Sequence, residues 1–146
     1  MNIFRKFVSE YSQVVKAADR QTQRVYNKFG AFARRTAKGL IRKFKKPSKP
    51  GRPPHSHGRE LLKKFIFFTW DPTARSELIG AAKLNGTIGD APSALEHGGK
   101  SRARVGRKGH KHVETVTIAA RPYIGPAVTK ELPKLPGLWS STRPGV

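Results

Sequence analysis

The chain has 146 residues, enough for one ordinary domain. It carries 30 Lys and Arg against 9 Asp and Glu, a formal net charge of +21. It has no cysteine, which excludes disulfide scaffolds, thiolate zinc sites and cysteine nucleophiles. The hydrophobic fraction of 36% is too high for a fully disordered tail, so a small core with basic appendages is expected.

The first element is a helix. Val25, Phe29, Phe32, Ala33, Ala37, Leu40 and Phe44 lie on one side at about 100° per residue. Arg20, Arg24, Lys28, Arg35, Lys38, Arg42 and Lys46 lie opposite. The spacing predicts an amphipathic helix over 14–45, with Gly30 and Gly39 as points where it can bend. Upstream, Phe7, Tyr11, Val14 and Ala18 continue the apolar spacing. Arg5, Lys6 and Glu10 interrupt the apolar residues near the start, so no secretory signal is read.

Residues 46–58 read as a basic linker, because Pro47, Pro50, Pro53 and Pro54 oppose helix. Leu62 to Trp70 then reads as a covered strand, Asp71-Pro72 as a turn, and Glu77 to Ala81 as the returning strand. Asn85 to Pro92 is a loop. Pro92 to His97 is a short helix stopped by Gly98-Gly99. Residues 100–112 form a second basic loop, and Val113 to Ile118 a strand. Ile124, Val128, Leu132 and Leu135 mark a short C-terminal helix, ended or kinked by Pro133 and Pro136. The tail 137–146 offers Trp139 as its anchor.

The expected fold class is therefore α+β in a single domain over 1–146. A long N-terminal amphipathic helix and a short C-terminal helix pack on a small, mainly antiparallel sheet, with two basic irregular loops. The sheet and short helices occupy 59–136.

Half of the 30 basic residues lie in two segments, 34–52 and 100–111. Candidate contacts to DNA or a partner are Arg42, Lys45, Lys46, Lys49 and Arg52 in the first. In the second they are Lys100, Arg102, Arg104, Arg107, Lys108 and Lys111. Lys and Arg neutralise phosphates, and Gly106 and Gly109 let the backbone approach a polyanion. The second segment lacks aromatics, so base stacking is not indicated. The same charges serve docking on an acidic protein neighbour equally well, and the helix stripe reads also as a solvated face. A basic amphipathic helix can also lie on an anionic membrane, but its apolar side is explained more simply by packing on the sheet. The longest strongly apolar run is Phe65-Ile66-Phe67-Phe68, too short to span a bilayer.

Chemical motifs are weak. Ala94 to Ser101 satisfies a relaxed phosphate-loop pattern, but it lacks the preceding buried strand and the following helix that aim N–H groups at phosphates. His55-x-His57 and His110-x-His112 sit in basic loops that repel cations. Glu96 and His97 have no matching nucleophile. No catalytic residue, metal site or cofactor is expected.

Two motifs flank the second basic segment. Leu95-Glu96-His97-Gly98-Gly99, followed by Ala120-Arg121-Pro122-Tyr123-Ile124-Gly125-Pro126-Ala127-Val128, resembles the paired signature of a tailed-bacteriophage family of tail-completion or neck proteins at the head–tail junction. Members typically show Leu-Glu-aromatic-Gly, a variable loop, then Ala-Arg-Pro-aromatic-x-x-Pro-Ala opening the last helix. The Asp-Pro hairpin and the basic N-terminal helix are also similar to those of prophage members. Here His97 stands where an aromatic is common, and Gly125 where a longer side chain is common.

The resemblance implies a non-enzymatic virion structural protein. It would assemble as a homo-oligomeric ring, with six as the expected number, between head connector or adaptor and tail proteins. Contact with packaged DNA would follow, with no membrane partner. The host cytoplasm during assembly and then the virion neck are the implied locations. Leu95, Glu96, Gly98, Gly99, Ala120, Arg121, Pro122, Tyr123 and Pro126 would have structural roles. Composition alone leaves open a second class, a sequence-tolerant RNA- or DNA-binding protein of ribosomal or nucleoid type.

Overall fold

The computed structural model describes residues 3–56, 58, 60–82, 90–106 and 110–142. Helix α1 runs from Ile3 to Leu40, about 57 Å at 1.5 Å per residue. Among the described side chains its buried apolar ones are Val25, Phe29, Ala33 and Ala37, with Ile41 just past the end. They fall four apart, so the buried line turns about 40° around the helix at each step. That drift passes α1 from one partner to the next along its length.

The helix starts earlier and ends sooner than the predicted 14–45. Gly39 weakens its last turn, and Arg42–Lys43 leaves as strand β1. Strand β1 pairs in parallel with β2, His55–Ser56. Phe44, expected on the apolar helix face, is instead 53% exposed, with its ring 4.7 Å from His55. Gly30 does not interrupt α1.

Residues 46–54 have no regular secondary structure, as expected of the proline-rich segment, but the chain there is pinned. Ser48, Pro54 and Ser56 are buried. His55 Nδ1 bonds the Lys46 carbonyl at 2.8 Å, and the Gly51 N–H donates to the Ala120 carbonyl at 2.8 Å. Prolines exclude helix but not a chain pinned through its carbonyls and one free N–H.

The strand predicted from Leu62 begins later. Leu61–Lys64 is a single helical turn, α2, and β3 covers Ile66–Asp71. Its partner β4 covers Ser76–Ala81, in antiparallel register with Trp70 opposite Glu77. Asp71 Oδ1 accepts the N–H groups of Thr73 and Ala74 at 2.9 and 3.1 Å, which holds the predicted turn. Ile66 is buried and Phe68 and Trp70 half-buried, facing α1, while Phe67 and Leu78 lie on the exposed face.

Helix α3 covers Ala91–His97. Strands β5, Gly99–Val105, and β6, His112–Ile118, form a second antiparallel hairpin. The first part of the expected irregular loop 100–112 is thus a strand. Its own sequence has weak β propensity, and pairing with the Val/Thr/Ile-rich β6 supplies the order. The loop expected over 85–92 lies mostly outside the described residues.

Helix α4 covers Ile124–Glu131, a 3-10 turn covers Leu132–Lys134, and α5 covers Leu135–Ser141. Pro133 and Pro136 sit in the first turns of their segments, where no N–H is needed, so they redirect the chain rather than end it. The expected tail is therefore part of the fold as far as Thr142. Trp139 meets Tyr26 edge-on at 6.3 Å, and Tyr26 meets Trp70 at 5.6 Å. Gln21 donates to the Thr142 carbonyl at 2.9 Å.

The result is an α+β architecture with a long N-terminal helix, short C-terminal helices and small, mainly antiparallel pairings. The strands form three separate two-stranded ladders. The core is Ala37, Ile41, Ile66, Tyr123 and Ala127, packed against Leu40, Leu62 and Leu95. It sits where α1, β3 and α4 converge.

Candidate interaction surfaces

The two sequence motifs meet at one junction. Asp90 caps α3 by accepting the Ser93 N–H at 3.1 Å. Near the other end of α3, Glu96 turns its carboxylate to the start of α4. Its Oε2 accepts the N–H groups of Tyr123 and Ile124 at 2.8 and 3.0 Å, and its Oε1 that of Gly125 at 2.7 Å. One carboxylate thus satisfies three otherwise orphaned donors and complements the positive end of the helix.

Arg121 locks the same junction from the other side. Its N–H donates to the Leu95 carbonyl at 2.6 Å, and its Nε to the Ser48 carbonyl at 3.0 Å. Gly98 has φ +77, and a Cβ there would stand 3.2 Å from the Ala120 nitrogen, so only glycine fits comfortably. The Tyr123 ring is 1% exposed, and burial first, then Glu96 and Asp90, pushes its hydroxyl well above the usual tyrosine range.

The structure therefore brings Leu95, Glu96, Gly98, Ala120, Arg121 and Tyr123 together. Gly99 opens β5, Pro122 is half-buried beside Tyr123, and Pro126 is exposed in the first turn of α4. A hollow of about 380 Å³ lies beside the junction, bordered by Asp90, Glu96 and His97. Glu96 gives both of its oxygens, and Asp90 one, to backbone N–H groups.

No protein-family model, curated protein or solved structure matches this chain. Its surfaces must speak for themselves.

Arg42, Lys45, Lys46, Lys49 and Arg52 are all exposed. They lie beyond the end of α1, on β1 and the pinned segment, so Arg42 and Lys46 do not continue the helix stripe as expected. Lys100, Arg102 and Arg104 are exposed on β5, and Lys111 is exposed just before β6. Arg107 and Lys108 lie outside the described residues. The ion pairs among the described residues are Arg75–Asp19, His112–Glu114 and Lys134–Glu131, so no carboxylate there neutralises either basic segment.

Three polar roles had no sequence signal. Arg34, inside the basic run, turns inward and donates to the Ile66 carbonyl at 2.7 Å. Glu131 is buried, accepting from Thr36 at 2.6 Å and Lys134 at 2.5 Å, and these bonds hold its carboxyl below the usual range. Glu77 is half-buried with no hydrogen-bond partner on either oxygen among the described residues, and burial raises its pKa.

Among the described residues, no group of three His, Asp or Glu is placed to hold a metal, and no helix is long and apolar enough to cross a membrane. His112 lies beside Glu114, His110 is exposed, and His57 falls outside the described residues.

Proposed function

We propose that this chain is a non-enzymatic structural protein of a tailed-bacteriophage virion. It forms a ring, with six as the expected number of subunits, between the head connector and the tail. The observation that supports the reading is the Glu96–Arg121 junction. The two segments that carry the family resemblance are distant in sequence yet interlock through four backbone-directed hydrogen bonds. Such a junction holds α3, α4 and the root of the β5–β6 hairpin as one rigid body, which suits a part that bears load between neighbours. Arg121 also reaches the Ser48 carbonyl, which brings the first basic segment into the same body.

The test is mass spectrometry of purified virions, followed by imaging of the neck and of the purified protein. The reading predicts this chain in the virion and closed rings from the pure protein or from its mixture with the connector. Virions without the chain, together with protein that stays monomeric beside its connector, would reject it.

A further inference from the structure

We propose that one face of the β5–β6 ribbon binds the phosphate backbone of duplex DNA. Side chains alternate along a strand, so Lys100, Arg102 and Arg104 share a face. All three are exposed, whereas Ser101 on the opposite face is buried. Their cross-strand partners are Thr117, Thr115 and Val113. The face therefore carries three cations and two exposed hydroxyls, and no acid.

The ribbon's one acid, Glu114, pairs with Ala103 in register, which places it on the opposite face, beside His112. Asp90 borders the hollow at the foot of the ribbon with Lys100 and Arg102, but its Oδ1 is engaged by the Ser93 N–H. None of the three cations has an ion-pair or hydrogen-bond partner among the described residues.

The form of the face favours a nucleic acid over an acidic protein. Cations two residues apart on a strand stand about 6.8 Å from one another, so the three form a straight row of about 14 Å. A duplex offers one negative charge per roughly 1.7 Å of axis, about eight along that row. Hydroxyls interleaved with the cations are further phosphate donors. The face lacks the buried aromatic or aliphatic anchor on which a protein interface relies, and Val113 at its tip is only 42% exposed. A two-stranded ribbon also fits the major groove of B-form DNA, whereas the deep, narrow groove of duplex RNA excludes it. The face has no Asn, Gln or aromatic side chain to read or stack bases, and its cations are assigned to phosphates, so the contact proposed is sequence-tolerant.

The inference stands independently of ring formation. The test is fluorescence anisotropy of the full chain with a labelled duplex of about 20 base pairs, between about 50 and 200 mM salt. The Lys100→Gln/Arg102→Gln/Arg104→Gln variant should flatten the log–log salt slope by about 2.7, three phosphates at ~0.9 each. The charge-keeping variant Lys100→Arg/Arg102→Lys/Arg104→Lys should keep the slope. Removing three exposed charges from α1, with Arg20→Gln/Arg24→Gln/Lys28→Gln, should change it by less than about one.

An equal loss from the α1 variant would overturn the proposal, since net charge alone would then explain the binding. So would arm-dependent binding that is tighter to duplex RNA, or to polyglutamate at equal charge concentration. Anisotropy is read on size-fractionated monomer, so that the slope counts one ribbon per duplex contact, and imaging the Lys100→Gln/Arg102→Gln/Arg104→Gln variant for rings tests the assembly reading separately.

Discussion

Glu96 Oε2 lies 2.8 Å from the nitrogen of Tyr123, whose N–H it accepts across 27 residues of sequence. A helix normally takes its cap from the residue just before it. Here Tyr123 offers no capping side chain, and the cap comes from another helix. The start of α4 and the end of α3 therefore stabilise one another.

Glu96→Ala leaves three N–H groups of α4 without their acceptor. It should destabilise the fold by about 2 kcal/mol, at the upper end for a lost cap. Glu96→Gln keeps one acceptor oxygen for Tyr123 and Ile124 but sets its NH2 against the Gly125 N–H, so it should cost less than Glu96→Ala without being neutral. Urea unfolding at neutral pH measures both.

Arg121→Ala removes the donor to the Ser48 carbonyl and leaves the backbone bond to Leu95 in place. Segment 46–54 should loosen while the core stays folded. Amide exchange reads this directly, because the Gly51 N–H, bonded to the Ala120 carbonyl, should lose protection by roughly tenfold, about 1.4 kcal/mol. Core amides near Ile66 should keep theirs.

Gly30 sits inside α1 where β3–β4 crosses it. A Cβ there would stand 2.6 Å from Glu77 Oε1 and 2.8 Å from the Phe68 ring. Helix propensity alone favours Gly30→Ala by about 1 kcal/mol. The clash with the packed ring should outweigh that gain and give a net loss of about 1 kcal/mol. Combining Gly30→Ala with Glu77→Ala should cost less than the sum of the two changes, and a double-mutant cycle reports the coupling.

Glu77 gives a pH signature. Its folded pKa is raised above the unfolded value of about 4.3, so its ionised form opposes folding at neutral pH. That penalty fades as pH falls through the raised folded value towards the unfolded one. Glu77→Gln removes the charge that burial disfavours and should therefore stabilise the protein at pH 7. The difference in melting temperature from the parent chain should shrink towards zero near pH 4.

Much of the fold was legible because it obeys local rules. The helical spacing of Val25, Phe29, Ala33 and Ala37, the Asp71-Pro72 turn and the Gly98 stop each depend on neighbours in sequence. The errors share a cause. Residues 55–56 and 100–105 look irregular in sequence because proline and charge suppress local order, yet partners far along the chain supply it. The Ser48 carbonyl, pinned by Arg121, has no signature in composition. Nor does the inward turn of Arg34, since one arginine in a basic run looks like any other. The candidate site was legible as two motifs. That they interlock through Glu96, rather than lie on separate surfaces, depends on tertiary geometry that spacing does not encode.

The β5–β6 ribbon is rooted at both feet, Gly98–Gly99 on one side and Ala120–Arg121 on the other. At the far end of β5, Gly106 has φ +120 and a Cβ there would collide with the His110 carbonyl. Growth or shrinkage of the ribbon is therefore governed by parity. Adding residues to the strands in matched pairs lengthens the cationic row by one more position and leaves the root undisturbed. Adding a single residue to each strand below the row turns Lys100, Arg102 and Arg104 to the face that Ser101 now buries. The reach of the arm can thus vary in steps of two residues while the folded body beneath it stays constant.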